Sequence, residues 1–284
     1  MRLSRRSFLG AAGAAPAVRL TAQSPNERFL VAGMGCRGRA RGLLYGLAAL
    51  PEVEVVAVAD VDPRQFADAV KGIAERQGRE PKTTGDFRRL LDDRDIDILV
   101  VGTPDHWHAI PAILACQAGK HVYVEKPAGH NIREGQRMLA AARRYKRVMQ
   151  VGIQSRSGTS YQAACDYLRT GALGKAHFAK GWETTHQPNI GRPPDEPPPA
   201  GVDYDMWLGP APKRPFNRNR FHGSWRWFFD DGSGDLGNDG VHRLDYARRG
   251  LEAAFEAQGR KLPEWPSAVA WPPQIGRASC RERV

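Results

Sequence analysis

The feature that most constrains the fold of this chain is a glycine-rich turn between two apolar runs. The run from Phe29 to Ala32 leads into Gly33-Met34-Gly35-Cys36-Arg37-Gly38, a Gly-x-Gly-x-x-Gly pattern. An Ala- and Leu-rich segment then predicts a helix over 40–50, and a second apolar run over 53–59 ends at Asp60. Strand, glycine turn, helix, strand and acid in this order predict a dinucleotide-binding βαβ unit.

Each glycine of the turn has an expected physical role. Gly33 is expected to allow the tight turn, Gly35 to let a pyrophosphate approach the backbone, and Gly38 to let the helix pack close to the strand. The free N–H groups and the positive dipole end of the helix then face the phosphates.

The acid at the end of the second strand bears on the choice of cofactor. Asp60 can accept hydrogen bonds from a ribose diol, and its charge repels a 2′-phosphate, which favours NAD over NADP. Arg37, a further expected cofactor contact, or Arg64 could offset this repulsion. The sequence therefore predicts NAD or NADP as cofactor, with NAD favoured.

Strand and helix patterns alternate from Phe29 to about Gly152. The apolar run from Ile96 to Gly102 is typical of a strand buried on both faces of a parallel sheet. Further strands are predicted over 121–124 and 148–151, with helices between them. Six strands joined by five crossovers predict an α/β, doubly wound Rossmann domain.

Two groups of candidate site residues follow the fourth and fifth strands, at the edge where doubly wound sheets bind ligands. Glu125-Lys126-Pro127 follows the fifth strand, and Lys126 can hydrogen-bond a substrate hydroxyl and stabilise a developing alkoxide. The group after the fourth strand consists of Thr103, Pro104, His106, Trp107 and His108. We expect cofactor contacts from Thr103, Pro104, His106 and Glu125, and substrate contacts from Trp107 and His108.

The pattern changes after Gly152. A helix is predicted over 161–170 and an antiparallel strand over Ala176 to Thr185. A Pro-rich stretch over 188–215 follows, and the aromatic residues within and after it indicate an ordered loop over a cleft. Trp225 and Arg226 in this region are candidate substrate contacts.

The last predicted helix, Gly237 to Leu251, carries a third group of polar residues. His242 lies four residues after Asn238 and three before Asp245, so the three would share a helix face. Such a histidine can take the proton of an alcohol as its hydride leaves. Asp239 beside it is a further candidate substrate contact. The expected core stripe of this helix is Val241, Leu244, Ala247 and Leu251.

Composition excludes several classes of protein. The net charge of +11 comes partly from four arginines in the first 19 residues, and the remaining basic residues are dispersed among acids, which argues against nucleic-acid binding. No apolar run reaches the roughly 18 residues of a membrane span, so no stable membrane anchor is expected. The four cysteines have no paired spacing, which argues against a disulfide framework or a zinc site, and no metal is expected.

Both ends of the chain are predicted to lie outside the fold. Ser4-Arg5-Arg6-Ser7-Phe8-Leu9 resembles a twin-arginine export signal, so residues 1–25 are read as a signal segment and the protein as periplasmic or otherwise exported. Residues 271–284 lack an apolar period and are read as a non-native tail on a truncated chain. Between them we predict a Rossmann domain over 26–152 and a partial substrate and oligomerisation domain over 153–270.

Together, the glycine turn, Asp60, Glu-Lys-Pro and the Gly…His-x-x-Asp segment resemble the Gfo/Idh/MocA family, named after glucose–fructose oxidoreductase and inositol dehydrogenase. The resemblance implies NAD(P)-linked oxidation or reduction of sugars or polyols, a second domain with an open antiparallel sheet, and a homo-oligomer in the full-length form. The implied catalytic set is the lysine of Glu-Lys-Pro with an Asp and a His spaced four apart. Lys126 and His242 match, whereas the Asp position holds Asn238.

The predicted function is therefore an exported NAD(P)-dependent sugar or polyol oxidoreductase. Lys126 would bind the reacting oxygen, His242 would act as acid and base, and Asn238 would orient the substrate. Two alternatives remain open: a glycoside-cleaving enzyme that oxidises a hydroxyl transiently, and a cofactor-bound sugar sensor without turnover.

Overall fold

The computed structural model describes residues 28–182 and 188–264. These residues form two units, one of 28–154, 182 and 188–243, the other of 155–181 and 244–264. The predicted export segment and the predicted C-terminal tail lie outside the described residues.

The first unit is built around a parallel sheet. In the described residues its strands are β1 (Phe29–Met34), β2 (Val53–Ala59), β3 (Lys82–Thr84), β4 (Ile98–Val101), β5 (His121–Glu125) and β6 (Met149–Gly152). The order across the sheet is β3-β2-β1-β4-β5-β6, and each neighbouring pair is parallel. This is a doubly wound sheet whose order reverses beside β1, so the predicted Rossmann-type fold is confirmed.

Helices join the strands and cover the sheet. They are α1 (Gly38–Ala48), α2 (Phe66–Gln77), α3 (Arg88–Asp92), α4 (Ala109–Gln117) and α5 (Ile132–Arg144). Val31 and Ala32, neighbours in β1, belong to two different apolar clusters because successive side chains of a strand point to opposite faces. Leu44 of α1 packs in the cluster of Val31, and Met138 of α5 in that of Ala32.

The glycines of the first turn divide their roles differently from the prediction. Gly33 is the site of close packing, because a Cβ there would lie 2.7 Å from Leu44 Cδ1. Gly35 makes the turn with φ +96°, where a Cβ would lie 3.1 Å from the carbonyl oxygen of Gly102. Gly38 also has positive φ, but a Cβ there would meet nothing within 4 Å.

After β6 the described chain forms helices and turns. These are α6 (Thr159–Arg169), α7 (Tyr204–Leu208), a 3₁₀ turn (Ser224–Trp227), a π-helical turn (Leu236–Gly240) and α8 (Val241–Glu256). The strand predicted over Ala176 to Thr185 is not formed over 176–182, and its last three residues lie outside the described chain. The described residues therefore contain no antiparallel strand of the sheet that the resemblance implies.

The Pro-rich stretch is ordered around an aromatic cluster. Trp207, Leu208, Phe216, Phe221 and Trp225 are buried together. The side chains pack edge-on or tilted, with ring centroids 5.6 Å apart for Trp207 and Phe221. These aromatic contacts supply a small apolar core to a segment that has little secondary structure.

The predicted core stripe of the last helix is wrong at Leu244, whereas Val241, Ala247 and Leu251 are half-buried. Leu244 is 56% exposed, while Asp245, Ala253 and Ala254 are the buried residues of α8. All four residues of the predicted stripe lie within α8, so the pattern gives the helical period, but contacts with other elements decide which face of the helix is covered. In the second unit Asp245 is buried because it accepts two hydrogen bonds from Arg156 Nε, at 2.9 and 2.8 Å.

We predict that Gly102→Ala destabilises the protein. A Cβ at this position would lie 2.5 Å from Ala40 Cβ and 3.0 Å from Ala40 Cα, so the backbone of α1 must move. Overpacking of this kind costs about 1–3 kcal/mol, which a urea unfolding midpoint would detect.

Gly46→Ala is the matched control. Gly46 lies in α1, the helix that Gly102 contacts, and a Cβ at position 46 would meet nothing within 4 Å. Alanine is favoured over glycine in a helix by about 0.5–1 kcal/mol, so this variant should gain stability. Equal midpoints for the two variants would contradict the close approach at Gly102.

Candidate functional site

A cavity of about 390 Å³ lies at the carboxyl edge of the sheet, and all of its lining residues belong to the first unit. The sequence-predicted residues that line it are Gly35, Arg37, Gly38, Asp60, Thr103, Pro104, Trp107, Glu125, Lys126, Trp225, Arg226, Asn238 and His242. The structure thus brings together side chains from strands β1, β2, β4 and β5 and from the segment before α8.

The glycine turn forms one end of this cavity. Arg37 is the N-cap residue of α1 and makes no capping hydrogen bond with its side chain, and the first turn of α1 holds no acidic residue. The leading N–H groups of the helix are therefore left for another acceptor, and the dipole favours an anion. Gly35 and Gly38 of the turn also line the cavity.

Asp60 lies where the resemblance expects a ribose-binding acid. Its Oδ2 accepts a hydrogen bond from Cys36 N at 2.8 Å, and its Oδ1 accepts one from Asp62 N at 3.0 Å. Burial raises the pKa of Asp60, and the two N–H donors oppose this effect only in part. The carboxylate therefore fixes the glycine turn, and Asp60 also lines the cavity.

Asp62 forms a second acidic cluster beside the cavity that sequence reasoning missed. Its carboxylate accepts from Arg64 Nε and Nη2, both at 2.7 Å, from Gln65 Nε2 at 3.0 Å, and lies 2.6 Å from His222 Nε2. Burial alone would raise its pKa, but these hydrogen bonds together hold the pKa of Asp62 well below its usual range. His222 lines the cavity and Arg37 donates to its carbonyl oxygen. Because His222 is 160 residues from Asp62, no local pattern could have predicted this pair.

The loop after β4 offers the cavity an unused hydroxyl. Thr103 Oγ1 is buried and has no hydrogen-bond partner among the described residues. Trp107 is held by hydrogen bonds from its Nε1 to the carbonyl oxygens of Met206 and Trp207, at 2.9 and 3.0 Å. A buried hydroxyl without a partner is costly, so the site fits a ligand with a complementary polar group.

His106 and His108 are not among the lining residues. His106 lies between the carbonyl oxygens of Asp231 and Trp207, at 3.1 and 2.9 Å. His108 lies between those of Pro127 and Thr103, at 2.6 and 2.9 Å. Both histidines therefore hold the loops that carry site residues.

Lys126 and Arg226 meet at one amide oxygen. Lys126 Nζ donates to Asn238 Oδ1 and to the carbonyl oxygen of Asn238, both at 2.7 Å. Arg226 Nε donates to the same Asn238 Oδ1 at 3.2 Å, and its guanidinium lies 4.3 Å from the centroid of the Trp225 ring. Burial lowers the pKa of Lys126, and the charge of Arg226 lowers it further, whereas Glu125 and two aspartates oppose the shift.

Glu125 is held by residues that sequence reasoning did not select. Arg39 Nε lies 3.2 Å from its Oε1, and Gln154, which follows β6, donates to the same carboxylate. Both side chains line the cavity. Gln154 could have been found from its position, because it follows a parallel strand at the edge where the other site residues lie.

His242 lines the cavity together with Asn238, as the spacing predicts, but Asp239 and Asp245 do not. Asn238 Nδ2 donates to Asp239 Oδ2 at 3.3 Å, so Asp239 contacts the site through the amide. Asn238 lies in the π-helical turn and His242 in α8. The two side chains therefore line one cavity, but not from one regular α-helix as predicted.

The lining residues suit a dinucleotide such as NAD(P). An uncapped helix N-terminus, a glycine-rich turn, an acid after β2 and an unpaired hydroxyl after β4 provide the groups that phosphates, ribose and a polar ring require. Among the described residues no cluster of three metal-ligating side chains occurs, and no helix has the length and apolar content of a membrane span.

Two family models match the chain. Residues 27–153 match the NAD-binding Rossmann fold of an oxidoreductase family, and residues 180–252 match the C-terminal alpha/beta domain of that family.

Several characterised proteins are similar in sequence or structure. Levoglucosan dehydrogenase of Pseudarthrobacter phenanthrenivorans is 30% identical over 242 residues, covering 82% of this chain and 53% of the relative. A glycosyl hydrolase family 109 protein of Stenotrophomonas maltophilia is 34% identical over 144 residues, covering 46% of this chain and 31% of the relative. A solved complex of levoglucosan dehydrogenase with NADH and levoglucosan is 27% identical, with a TM-score of 0.54 over 78% of this chain and 54% of that one. This chain thus spans about half the length of the dehydrogenase.

Proposed function

Because the chain belongs to the Gfo/Idh/MocA family of oxidoreductases, we propose that it is an NAD(P)-dependent oxidoreductase acting on a hydroxyl or carbonyl group of a sugar or polyol. The observation that carries this proposal is the meeting of Lys126, Asn238 and His242 in one cavity with the glycine turn. The similarity to levoglucosan dehydrogenase supports it.

The cofactor would lie along the carboxyl edge of the sheet. The α1 N-terminus would hold the pyrophosphate, Asp60 the ribose diol, and the Thr103 hydroxyl a polar group nearer the nicotinamide. NAD(P), when bound, supplies the acceptor for the two electrons that leave the substrate carbon as a hydride.

The protein's own residues would manage the oxygen and its proton. In the oxidation of an alcohol, Lys126 Nζ donates a hydrogen bond to the reacting oxygen and stabilises its developing negative charge. An imidazole nitrogen of His242 takes the hydroxyl proton, so that loss of one proton and one hydride leaves a carbonyl. Asn238 holds Lys126 through two oxygens at 2.7 Å, which fixes the direction of the ammonium group.

We predict that Lys126→Ala lowers turnover by about 10²–10³ and His242→Ala by about 10²–10⁴, since each removes a group that acts mainly in the transition state. Binding of NADH should change much less, because the phosphates are held at the glycine turn. The measurement is cofactor reduction with a panel of levoglucosan, myo-inositol and hexoses, with NADH titration as a second readout. Lys71→Ala, an exposed residue paired with Glu75, is the control and should retain turnover.

If both site variants keep full turnover, the dehydrogenase proposal for this cavity fails. If the unaltered protein binds NADH but reduces no cofactor with any sugar of the panel, the sensor without turnover is the function that would account for a bound cofactor.

The cofactor preferred would be NAD. The carboxylate of Asp60 repels a 2′-phosphate, and the nearby Arg64 is already engaged with Asp62. We predict tighter binding of NADH than of NADPH in a fluorescence titration, and a weaker preference in Asp60→Ser. Tighter binding of NADPH to the unaltered protein would refute this assignment.

A second candidate is a glycoside-cleaving enzyme in which the cofactor is reduced and reoxidised within each turnover. The similarity to a glycosyl hydrolase family 109 protein favours it. Release of an aglycone without net cofactor reduction would distinguish it from the dehydrogenase.

We further propose that the protein is exported by the twin-arginine route and that the complete protein is a homo-oligomer with an open antiparallel sheet. The Ser-Arg-Arg-x-Phe-Leu sequence supports export, and the match of residues 180–252 to the family's C-terminal domain supports the second domain. Exchange of Arg5 and Arg6 for lysine should keep the protein in the cytoplasm. Fractionation of the double variant with the periplasm would rule out this route.

A further inference from the structure

We propose that the substrate is a sugar acid, and that Arg226, beside Lys126, binds its carboxylate. This inference rests on the proposed function and adds the charge of the substrate to it. It is carried by the arrangement of two cations around the neutral side chain of Asn238.

Both cations donate to uncharged oxygens. Lys126 Nζ contacts the amide and carbonyl oxygens of Asn238, and Arg226 contacts the same amide oxygen through Nε and the carbonyl oxygen of Gly223 through Nη1, at 3.0 Å. Arg226 Nη2 donates to no residue within 28–182 and 188–264. One nitrogen of a guanidinium that lines the cavity is therefore available to a ligand.

The carboxylates nearest to the two cations have other donors. Glu125 pairs with Arg39, and Asp105 accepts from Ser233 N and Oγ at 3.1 and 2.6 Å. Asp239 accepts from Asn238 Nδ2. In the described part of the chain, no carboxylate lies within 4 Å of Lys126 Nζ or of the Arg226 guanidinium nitrogens, although Asp105 and Asp239 attract both cations at longer range and Glu125 attracts Lys126.

Two cations without a direct counter-ion are costly to bury. Burial lowers the pKa of both Lys126 and Arg226, which means that their charged forms lose favourable hydration in the cavity. A bound anion would compensate for the lost hydration of the two cations, whereas a neutral sugar would leave their charges uncompensated. The cavity therefore favours an anionic ligand at this end.

The geometry at Arg226 suits a carboxylate, and the element of this cavity suited to phosphate lies elsewhere. The guanidinium carbon of Arg226 lies 4.3 Å from the centroid of the Trp225 ring, and this cation–π contact restrains the side chain. A planar fork of this kind matches a planar carboxylate. The α1 N-terminus, which is the phosphate-binding element of this cavity, lies at the glycine turn and would be taken by the cofactor.

The amide at position 238 is necessary for this selectivity. An aspartate there would form ion pairs with both Lys126 and Arg226 and would repel a substrate carboxylate. Asn238 holds the same two side chains by hydrogen bonds without neutralising them.

The test compares a glycoside that carries a C6 carboxylate with its neutral C6-hydroxymethyl analogue and with a sugar phosphate. Calorimetry with the full chain, saturated with NADH, would measure the affinity for methyl β-D-glucuronide, for methyl β-D-glucoside and for glucose 6-phosphate. We expect the glucuronide to bind roughly 10-fold or more tightly than the glucoside, as one charge-assisted hydrogen bond implies. Equal affinity for the two glycosides, or tightest binding of the phosphate, would overturn the proposal.

Variants assign the preference to residues. Arg226→Gln and Asn238→Asp should each abolish the preference for the acid, while Arg226→Lys should keep part of it because the charge remains without the fork. Arg41→Gln is the control, because this arginine pairs with Asp68 outside the cavity, and it should keep the full preference. An undiminished preference in Arg226→Gln would refute the assignment, and circular dichroism would establish that each variant is folded.

Cofactor reduction with the same ligands separates this inference from the proposed function. Preferential binding of the glucuronide without cofactor reduction would support the acid site and contradict the dehydrogenase. Oxidation of neutral polyols, without preferential binding of the glucuronide, would support the dehydrogenase and contradict the acid site.

Discussion

The site depends on a close approach of backbones at the centre of the sheet. Gly35, in the turn after β1, lies against the carbonyl of Gly102 after β4, and Gly102 lies against Ala40 in the first turn of α1. β1 and β4 are neighbours across the point where the strand order reverses, so the crevice between their ends is where a ligand can enter. A side chain at Gly102 would move α1 and with it the N–H groups that face the cavity, and a side chain at Gly35 would press on the carbonyl of Gly102.

The elements that sequence predicted well are those fixed by local chemistry. Apolar runs of four to seven residues separated by amphipathic helices give one parallel sheet, and the order of the strands follows from right-handed crossovers. The residues after β1, β2, β4 and β5 could be placed in one cavity because parallel strands end at a common edge. Asp60, Thr103 and Lys126 line that cavity for this reason.

The features that sequence could not predict depend on contacts between distant parts of the chain or on irregular backbone. The pairing of Asp62 with His222 joins a turn after β2 to a segment without regular structure. In α8, Leu244 is 56% exposed although the apolar period of the helix predicts burial, because contacts with other elements decide which face of a helix is covered. Tertiary contacts also determine the roles of His106 and His108 after β4, because residue type alone does not show whether a histidine contacts a ligand or holds a loop in place.

The amide of Asn238 alters the electrostatics of the site in two opposing ways. It cannot stabilise a protonated His242 as a carboxylate would, so transfer of a proton to the imidazole has less support from this position. The same amide leaves the charge of Lys126 uncompensated by an adjacent anion, so the field at an oxygen that contacts Nζ is stronger than it would be beside an aspartate. Under the proposed function, Asn238 therefore gives less stabilisation to a protonated His242 than an aspartate would. It also leaves Lys126 better able to stabilise the negative charge that develops on the reacting oxygen. A substrate carboxylate bound at Arg226 would bring negative charge back to this part of the cavity, and would do so only when the substrate is present. The family pattern places an aspartate at position 238, and under this proposal the substrate carboxylate supplies that negative charge instead. Binding of the acid would thereby change the electrostatic environment of both Lys126 and His242.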